Sequence, residues 1–258
     1  MRAPVKYYGG KTRMLPNLLP MIPEHRIYVE AFCGGASLFW AKQPSKVEVL
    51  NDINGNVVNF YQVMKHDFDA LYGRINNSLH CEHSFNRAKE IYHNPDGWGR
   101  VERAWAFWVS CNQSFGSEAC AGFQWVKNKR DNWHPGVSVD NRKRQFHQYV
   151  NRLDRVSIMN RDAIQIIKDR DLIDTFFYLD PPYVGARQGH YKGYKQTDFN
   201  QLLETLRDIK GKFLMSSYRN EALDFHTKDL GWKKIEYDQI LGVSGGSKRK
   251  IEVLTCNY

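Results

Sequence analysis

The stretch FFYLDPPYVGAR, residues 176–187, decides the fold. Phe176, Phe177, Tyr178 and Leu179 run straight into Asp180, Pro181, Pro182 and Tyr183. Proline lacks the N–H that a ladder needs and fixes φ, so it cannot continue a strand interior. A buried strand therefore ends at Asp180 and hands over to a stiff loop that presents a carboxylate and an aromatic ring.

Working outward, the same alternation recurs. VSIMNRD (156–162) and GKFLMSSY (211–218) read as strands on either side. Between the second and TFFYLDPPY lies TDFNQLLETLRDIKG (197–211), with Phe199, Leu202, Leu203, Leu206 and Ile209 on one helical face. Asp198 is expected to cap this helix with Gln201 reaching back, and Gly211 to end it. KKIEYDQIL and KIEVLTCNY are terminal strands joined by GVSGGSKRK. Near the start, RIYVEAFCGG is a short strand entering a Gly-rich turn, ASLFWAKQ opens a helix, and KVEVLND is a second strand. Strands alternating with helices predict a mostly parallel sheet with helices on both faces, a Rossmann-like α/β core. Ligands of such sheets bind beyond the carboxyl ends of the strands, which is where Asp180 falls.

The section from about 56 to 155 has another character. VERAWAFWVSCN places Val101, Trp105, Trp108 and Cys111 near one helical face, and FNRAKEIYHNP is a short helix stopped by Pro95. Residues 120–155 hold eight Lys/Arg against three Asp, interleaved with Phe123, Trp125, Trp133, Phe146 and Tyr149. Turn residues there predict an irregular or hairpin part. The expected organisation is a catalytic domain from 1–55 and 156–258, with a mainly helical recognition domain inserted at 56–155.

The chain has 258 residues, 42% hydrophobic and 25% charged, with a formal net charge of +9. That length suits one large domain with an insert. The positive excess favours a polyanionic partner. The five cysteines form no CxxC pair, and Cys81 with His83, or Cys120 with His134, match no common zinc spacing. No metal is expected. With no signal peptide and no apolar run of membrane length, a reduced cytosolic setting is expected and a membrane partner is not.

The motifs then carry chemistry. In EAFCGGASLF (30–39), Gly34 and Gly35 allow a tight turn after a strand. Asp52 follows 18 residues beyond Gly34, at the end of the next strand, where an acid commonly holds the ribose hydroxyls of a nucleoside cofactor. KYYGGK (6–11) offers glycines between aromatics and lysines, without the spacing of a P-loop. In the Asp-Pro-Pro-Tyr stretch, Asp180 and the Pro181 carbonyl are two acceptors for an exocyclic amine, and Tyr183 can stack on a planar base. A conjugated amine is a poor nucleophile. Two acceptors favour its tetrahedral form, and a methyl sulfonium then needs only to be held in line.

The ordered set KYYGGK, EAFCGGAS, NDIN, a basic insert, NRDA, LDPPY and SGGSKRKIEVLTCNY resembles the Dam family of DNA adenine N6-methyltransferases. The match covers both ends of the chain and the region from 156 onward. The resemblance implies a core that binds S-adenosylmethionine. It implies Tyr7 and Lys11 at the methionine end of that cofactor, and Phe32, Gly34 and Gly35 in the binding loop. Asp52 would hold the ribose and Asp162 would meet the adenine moiety. Asp180 would touch both cofactor and target amine, with Pro181, Pro182 and Tyr183 completing the catalytic loop. Family members that read GATC carry an Arg/Asn-Phe-Asn-Val-Pro type pattern. The insert here has SFGSEACAGFQWVKNKRDNWHPG instead, so the resemblance carries the chemistry and not that target.

An enzyme acting within duplex DNA must extrude the base and grip phosphates. Lys127, Lys129, Arg130, Arg142, Lys143, Arg144, Lys248, Arg249 and Lys250 are the candidate phosphate contacts, and Gln124, Asn128 and Arg130 the candidate base readers. The expected partners are double-stranded DNA and a cognate restriction endonuclease, in a bacterial, phage or mobile-element host. The alternatives are cytosine N4 methylation, where Ser or Asn more often replaces this Asp, RNA adenine methylation, and an inert nucleic-acid-binding module.

Overall fold

The computed structural model describes residues 1–117, 119–125, 135–185, 191, 193–240 and 249–258. The helices are α1 (Leu15–Leu18), α2 (Ser37–Ala41), α3 (Gly55–His66), α4 (Phe68–Asn76), α5 (Glu82–His93), α6 (Arg100–Asn112), α7 (Pro135–Arg144), α8 (His147–Arg152), α9 (Ala163–Arg170), α10 (Gln196–Arg207) and α11 (Glu221–Leu230). The strands are β1 (Ile27–Glu30), β2 (Val47–Asn51), β3 (Val156–Met159), β4 (Thr175–Leu179), β5 (Lys212–Ser217), β6 (Lys233–Ile240) and β7 (Arg249–Cys256).

The strands form one sheet in the order β3-β2-β1-β4-β5-β7-β6. The pairs β1–β2, β1–β4 and β4–β5 are parallel, while β7 runs antiparallel to both β5 and β6. Val29 stands opposite both Val49 and Phe177, and Phe177 opposite Phe213, so one apolar row crosses the sheet. This is the doubly wound, Rossmann-like order, and its direction reverses between β1 and β4.

The chain forms two compact units. One holds residues 1–13, 34–41 and 54–158; the other holds 14–33, 42–53 and 159–258. In the second unit, α9, α10 and α11 lay Ile166, Ile167, Phe199, Leu202, Leu203, Leu206 and Leu223 onto Val29, Val49, Phe177, Phe213 and Val253. Apolar burial of this kind stabilises by about 25 cal/mol per Å². Asp198 plays a different part in α10 from the one expected. The helix begins at Gln196, and Asp198 is its third residue, accepting from the Lys195 N–H at 2.6 Å. The helix also ends at Arg207, before Gly211. Gly211 is needed instead for close approach, because a Cβ there would lie 2.8 Å from the Thr175 carbonyl oxygen.

In the first unit α6 is the central helix. Every residue from Ala104 to Asn112 is buried, not only the face that the periodicity marked. Asn112 satisfies itself inside by donating to the Pro4 and Trp108 carbonyls and accepting from the Lys6 N–H at 3.1 Å. The basic stretch also departs from expectation. Residues 135–144 and 147–152 are helical where an irregular or hairpin part was predicted, and before them Ser114 pairs with Phe123 in a short antiparallel bridge. Pro135 opens α7, at a position where its missing N–H is not needed. Among the described residues no helix is long and apolar enough to cross a membrane, and no three His, Cys, Asp or Glu side chains gather as metal ligands.

Candidate active site

The two strands that flank the switch point, β1 and β4, are the ones that run into the glycine-loop and Asp-Pro-Pro-Tyr motifs. Glu30 ends β1 and is 2% exposed, taking a hydrogen bond from the Tyr28 hydroxyl at 2.5 Å. Phe32, half-buried, follows and meets the Tyr194 ring edge-on. Asp180 begins at the end of β4, half-buried, with Pro181 buried behind it.

The neighbouring loops are clamped by a residue whose part the motif spacing does not reveal. Asn51, fully buried at the end of β2, donates to the carbonyls of Ala31 and Arg161, both at 2.9 Å. Its Oδ1 accepts from the Arg161 N–H, and its own carbonyl accepts from the Cys33 N–H. Asp52 is thereby carried to the same end of the sheet, 1% exposed. Tyr191 reaches its carboxylate from the segment after the Asp-Pro-Pro-Tyr loop. Asp162 lies farther along and is exposed; its Oδ1 caps α9 through the Ile164 and Gln165 N–H groups.

Tyr183 is held by two contacts. Its hydroxyl donates to Glu252 Oε1 at 2.5 Å, and its ring meets Tyr218 edge-on at 4.3 Å. Burial first, then the charges of Asp180 and Glu252, push its phenol far above the ordinary tyrosine range. Burial and then Asp180 do the same to Tyr178, with smaller effects of Glu30 and Glu252. Burial, then Asp52 and Glu30, raise the Cys33 thiol. Glu30 ends β1, Asp52 and Asp180 directly follow β2 and β4, and Glu252 adjoins Val253, which stands opposite the last residue of β5, so the four carboxylates lie at one acidic end of the sheet. The pairings of Glu252 with Tyr183 and of Tyr191 with Asp52 were not legible in the sequence, because the partners lie 69 and 139 residues apart.

The other unit holds Tyr7, Lys11, Gly34 and Gly35. Tyr7 to Gly10 make a turn closed by Gly10 N–H to Tyr7 O at 3.0 Å, with Gly9 at φ +75°. Lys11 is buried and donates to the Gly9 carbonyl at 2.8 Å. The Tyr7 ring lies against the glycine pair. A Cβ on Gly34, whose φ is +46°, would fall 2.7 Å from Tyr7 Cδ1, and one on Gly35 would fall 2.9 Å from Tyr7 Cβ. Ala36 also has positive φ, at 50°, a conformation that costs a non-glycine residue energy. Asn54 caps α3 through its Oδ1 and donates its amide to the hydroxyls of Tyr7 and Tyr92, each at 3.4 Å.

The basic candidates divide. Lys127, Asn128, Lys129, Arg130 and Lys248 lie outside the described residues, and Arg249 and Lys250 are placed by backbone only, at the start of β7. Gln124 is held by its backbone, donating to the Gln113 carbonyl. Arg142 is half-buried and turned to its own helix, donating to Ser138 Oγ at 3.1 Å. Lys143 donates to the Ser78 and Asn76 carbonyls, so it satisfies the end of α4. Arg144 is exposed.

A family model described as D12 class N6 adenine-specific DNA methyltransferase matches residues 7–238. The type II methyltransferase M1.LlaDCHI of Lactococcus lactis subsp. cremoris is 28% identical, over 100% of this chain and 96% of its own. The type II methyltransferase M.MjaIII of Methanocaldococcus jannaschii is 25% identical, over 98% of each chain. A DNA adenine methylase of Vibrio cholerae serotype O1 is 32% identical over 91 residues, 35% of this chain and 31% of that one. The family match takes in both motif-bearing ends of the sheet's switch point, and this chain belongs to the D12 class of N6 adenine-specific DNA methyltransferases.

Proposed function

We propose that this adenine-specific DNA methyltransferase moves the methyl group of S-adenosylmethionine to the exocyclic amine of an adenine flipped out of duplex DNA. The observation that carries the reading is that β4 ends at the switch point and hands over directly to Asp180, with Tyr183 three residues on. When bound, S-adenosylmethionine supplies a methyl group on a positively charged sulfur. The acidic end formed by Glu30, Asp52, Asp180 and Glu252 suits a cofactor that carries both a sulfonium and an ammonium group.

Asp180 accepts one hydrogen of the target amine and the Pro181 carbonyl accepts the other. The nitrogen lone pair is thereby drawn out of conjugation and aimed for in-line attack. Pro182 stiffens the loop, and Tyr183 stacks on the extruded base, offsetting an unstacking cost of a few kcal/mol. Asp52 holds the ribose hydroxyls. Tyr7, Lys11, Phe32, Gly34, Gly35 and Asp162 keep the cofactor roles that the family resemblance gives them, and no metal takes part. Residues 56–155 act as the target-recognition domain, with Gln124, Lys127, Asn128, Lys129, Arg130 and Arg144, and with Lys248, Arg249 and Lys250 from the terminal hairpin, as its DNA contacts; Arg142 and Lys143 support the domain's own helices instead. The relatives named type II methyltransferases support a cognate restriction endonuclease as partner, in a cytoplasmic setting in a bacterium, phage or mobile element.

The test is methyl transfer from labelled S-adenosylmethionine to mixed-sequence duplex DNA, followed by nucleoside digestion and chromatography. Label in N6-methyladenine is expected, and sequencing the methylated positions then gives the recognition site. Label in cytosine, or on RNA alone, would overturn the substrate.

A further inference from the structure

Glu252 sits in β7, opposite Tyr237 of β6, and is only 8% exposed. A carboxylate buried to that degree is costly unless strong donors meet it. The Tyr183 hydroxyl is such a donor, at 2.5 Å. The ring of Tyr183 is thus held at two places. Tyr218 meets it edge-on, at an interplanar angle of 68°, and Glu252 anchors its para oxygen. A tyrosine ring has two side-chain torsions, and these two contacts define both. The hydrogen bond also changes the ring. A phenol donating to an anion is polarised, and electron density moves into its π-system.

Methyl transfer builds positive charge on the amine and the base conjugated to it, before a proton leaves. An aromatic face attracts positive charge, and an electron-rich face attracts it more strongly. We infer that Glu252 is a positioning residue for the methylation step, orienting and polarising Tyr183 so that its face meets the target adenine. The inference rests on the reading that Tyr183 stacks on that adenine. Glu252 acts through Tyr183 and not on the substrate, and Tyr183 stays protonated throughout.

The test uses the full-length enzyme and a duplex carrying the site found by sequencing, with 2-aminopurine at the target adenine for the flipping assay. Glu252→Gln keeps the size and an acceptor oxygen but removes the charge. It should lower kcat about 10-fold with KM for DNA within about 2-fold, the mark of an interaction made in the transition state. Tyr183→Phe removes the hydroxyl through which Glu252 acts. It should lose kcat to a similar degree, and adding Glu252→Gln to it should cost nothing further. Unfolding midpoint and S-adenosylmethionine affinity, measured on each variant, identify any that fail to fold, and the Tyr183→Phe result stands independently of Glu252→Gln. Unchanged kcat in folded Glu252→Gln, or losses that simply add in the double variant, would overturn the inference. Tyr183→Ala separates the two readings. If it leaves 2-aminopurine fluorescence and kinetics unchanged, Tyr183 does not stack on the base and the underlying reading fails. If it weakens both while Glu252→Gln does not alter kcat, only the role of Glu252 fails.

Discussion

Tyr191 donates its hydroxyl to both carboxylate oxygens of Asp52, at 2.9 Å and 2.8 Å. Asp52 is 1% exposed, and a carboxylate so placed needs donors. The phenol therefore supplies a hydrogen bond at the position where two ribose hydroxyls are proposed to bind. A ligand that uses the same oxygens must displace or share it. Tyr191→Phe is expected to tighten S-adenosylmethionine binding about 3- to 10-fold, because a competing charge-assisted bond is gone. Isothermal titration calorimetry measures this, and weaker binding would make Tyr191 a contributor to the cofactor site.

Asp180 is half-buried at a strand end, so its removal should leave the fold intact. Asp180→Ala is expected to lower kcat at least about 10²-fold, the scale for losing a group aimed at charge that develops in the transition state. Circular dichroism and the thermal midpoint should match the parent. Full activity in the variant would remove the role given to this carboxylate.

Lys42 and Glu48 form an ion pair at 2.6 Å with side chains 2% and 3% exposed. Lys42 also donates to Ser45 Oγ, and its ammonium lies 4.0 Å from the centre of the Tyr28 ring. Lys42→Met leaves Glu48 buried without its cation and should cost about 3–5 kcal/mol in urea unfolding. Adding Glu48→Leu should recover much of that loss, since the cost lies in the stranded charge and not in the absence of the pair.

Lys6 carries a pH signature. Burial, and then the nearby Arg142, lower its ammonium from the usual 10.5 to about 8. Between those values the unfolded chain holds a proton that the folded chain has released, so stability rises with pH across that window. The penalty is fully present below about pH 8 and disappears near pH 10.5. Lys6→Met should therefore raise the urea midpoint at pH 7 and change it little at pH 10.5. An equal shift at both values would assign the effect to packing.

The role of α7 shows where local reading stops. Its sequence, PGVSVDNRKR, has no apolar face of helical period, and it begins with a proline and a glycine. Val139 and Phe146, the latter just before α8, are nonetheless buried, and Phe146 stacks near Phe68 and Tyr72. Contacts with α4 override weak propensity there, which no window of that sequence contains. Lys143 and Arg142 look like phosphate contacts by composition, yet Lys143 satisfies the end of α4 and Arg142 bonds Ser138. A positive charge in sequence does not state whether its donors are already engaged.

By itself the sequence determined the strand that stops at Asp180, the glycine turn at Gly34 and Gly35, the acid at Asp52, and the alternation that makes the sheet. Each follows from a constraint acting within a few residues: proline's missing N–H, glycine's access to positive φ, and the period of an apolar face. Tertiary structure alone decided that the strand order reverses between β1 and β4, that Asn51 clamps the loops of Ala31 and Arg161, and that Tyr191 and Glu252 meet Asp52 and Tyr183. Those partners lie 139 and 69 residues apart along the chain. Their pairing is set by which buried polar groups packing brings within hydrogen-bond reach, and no local pattern encodes that distance.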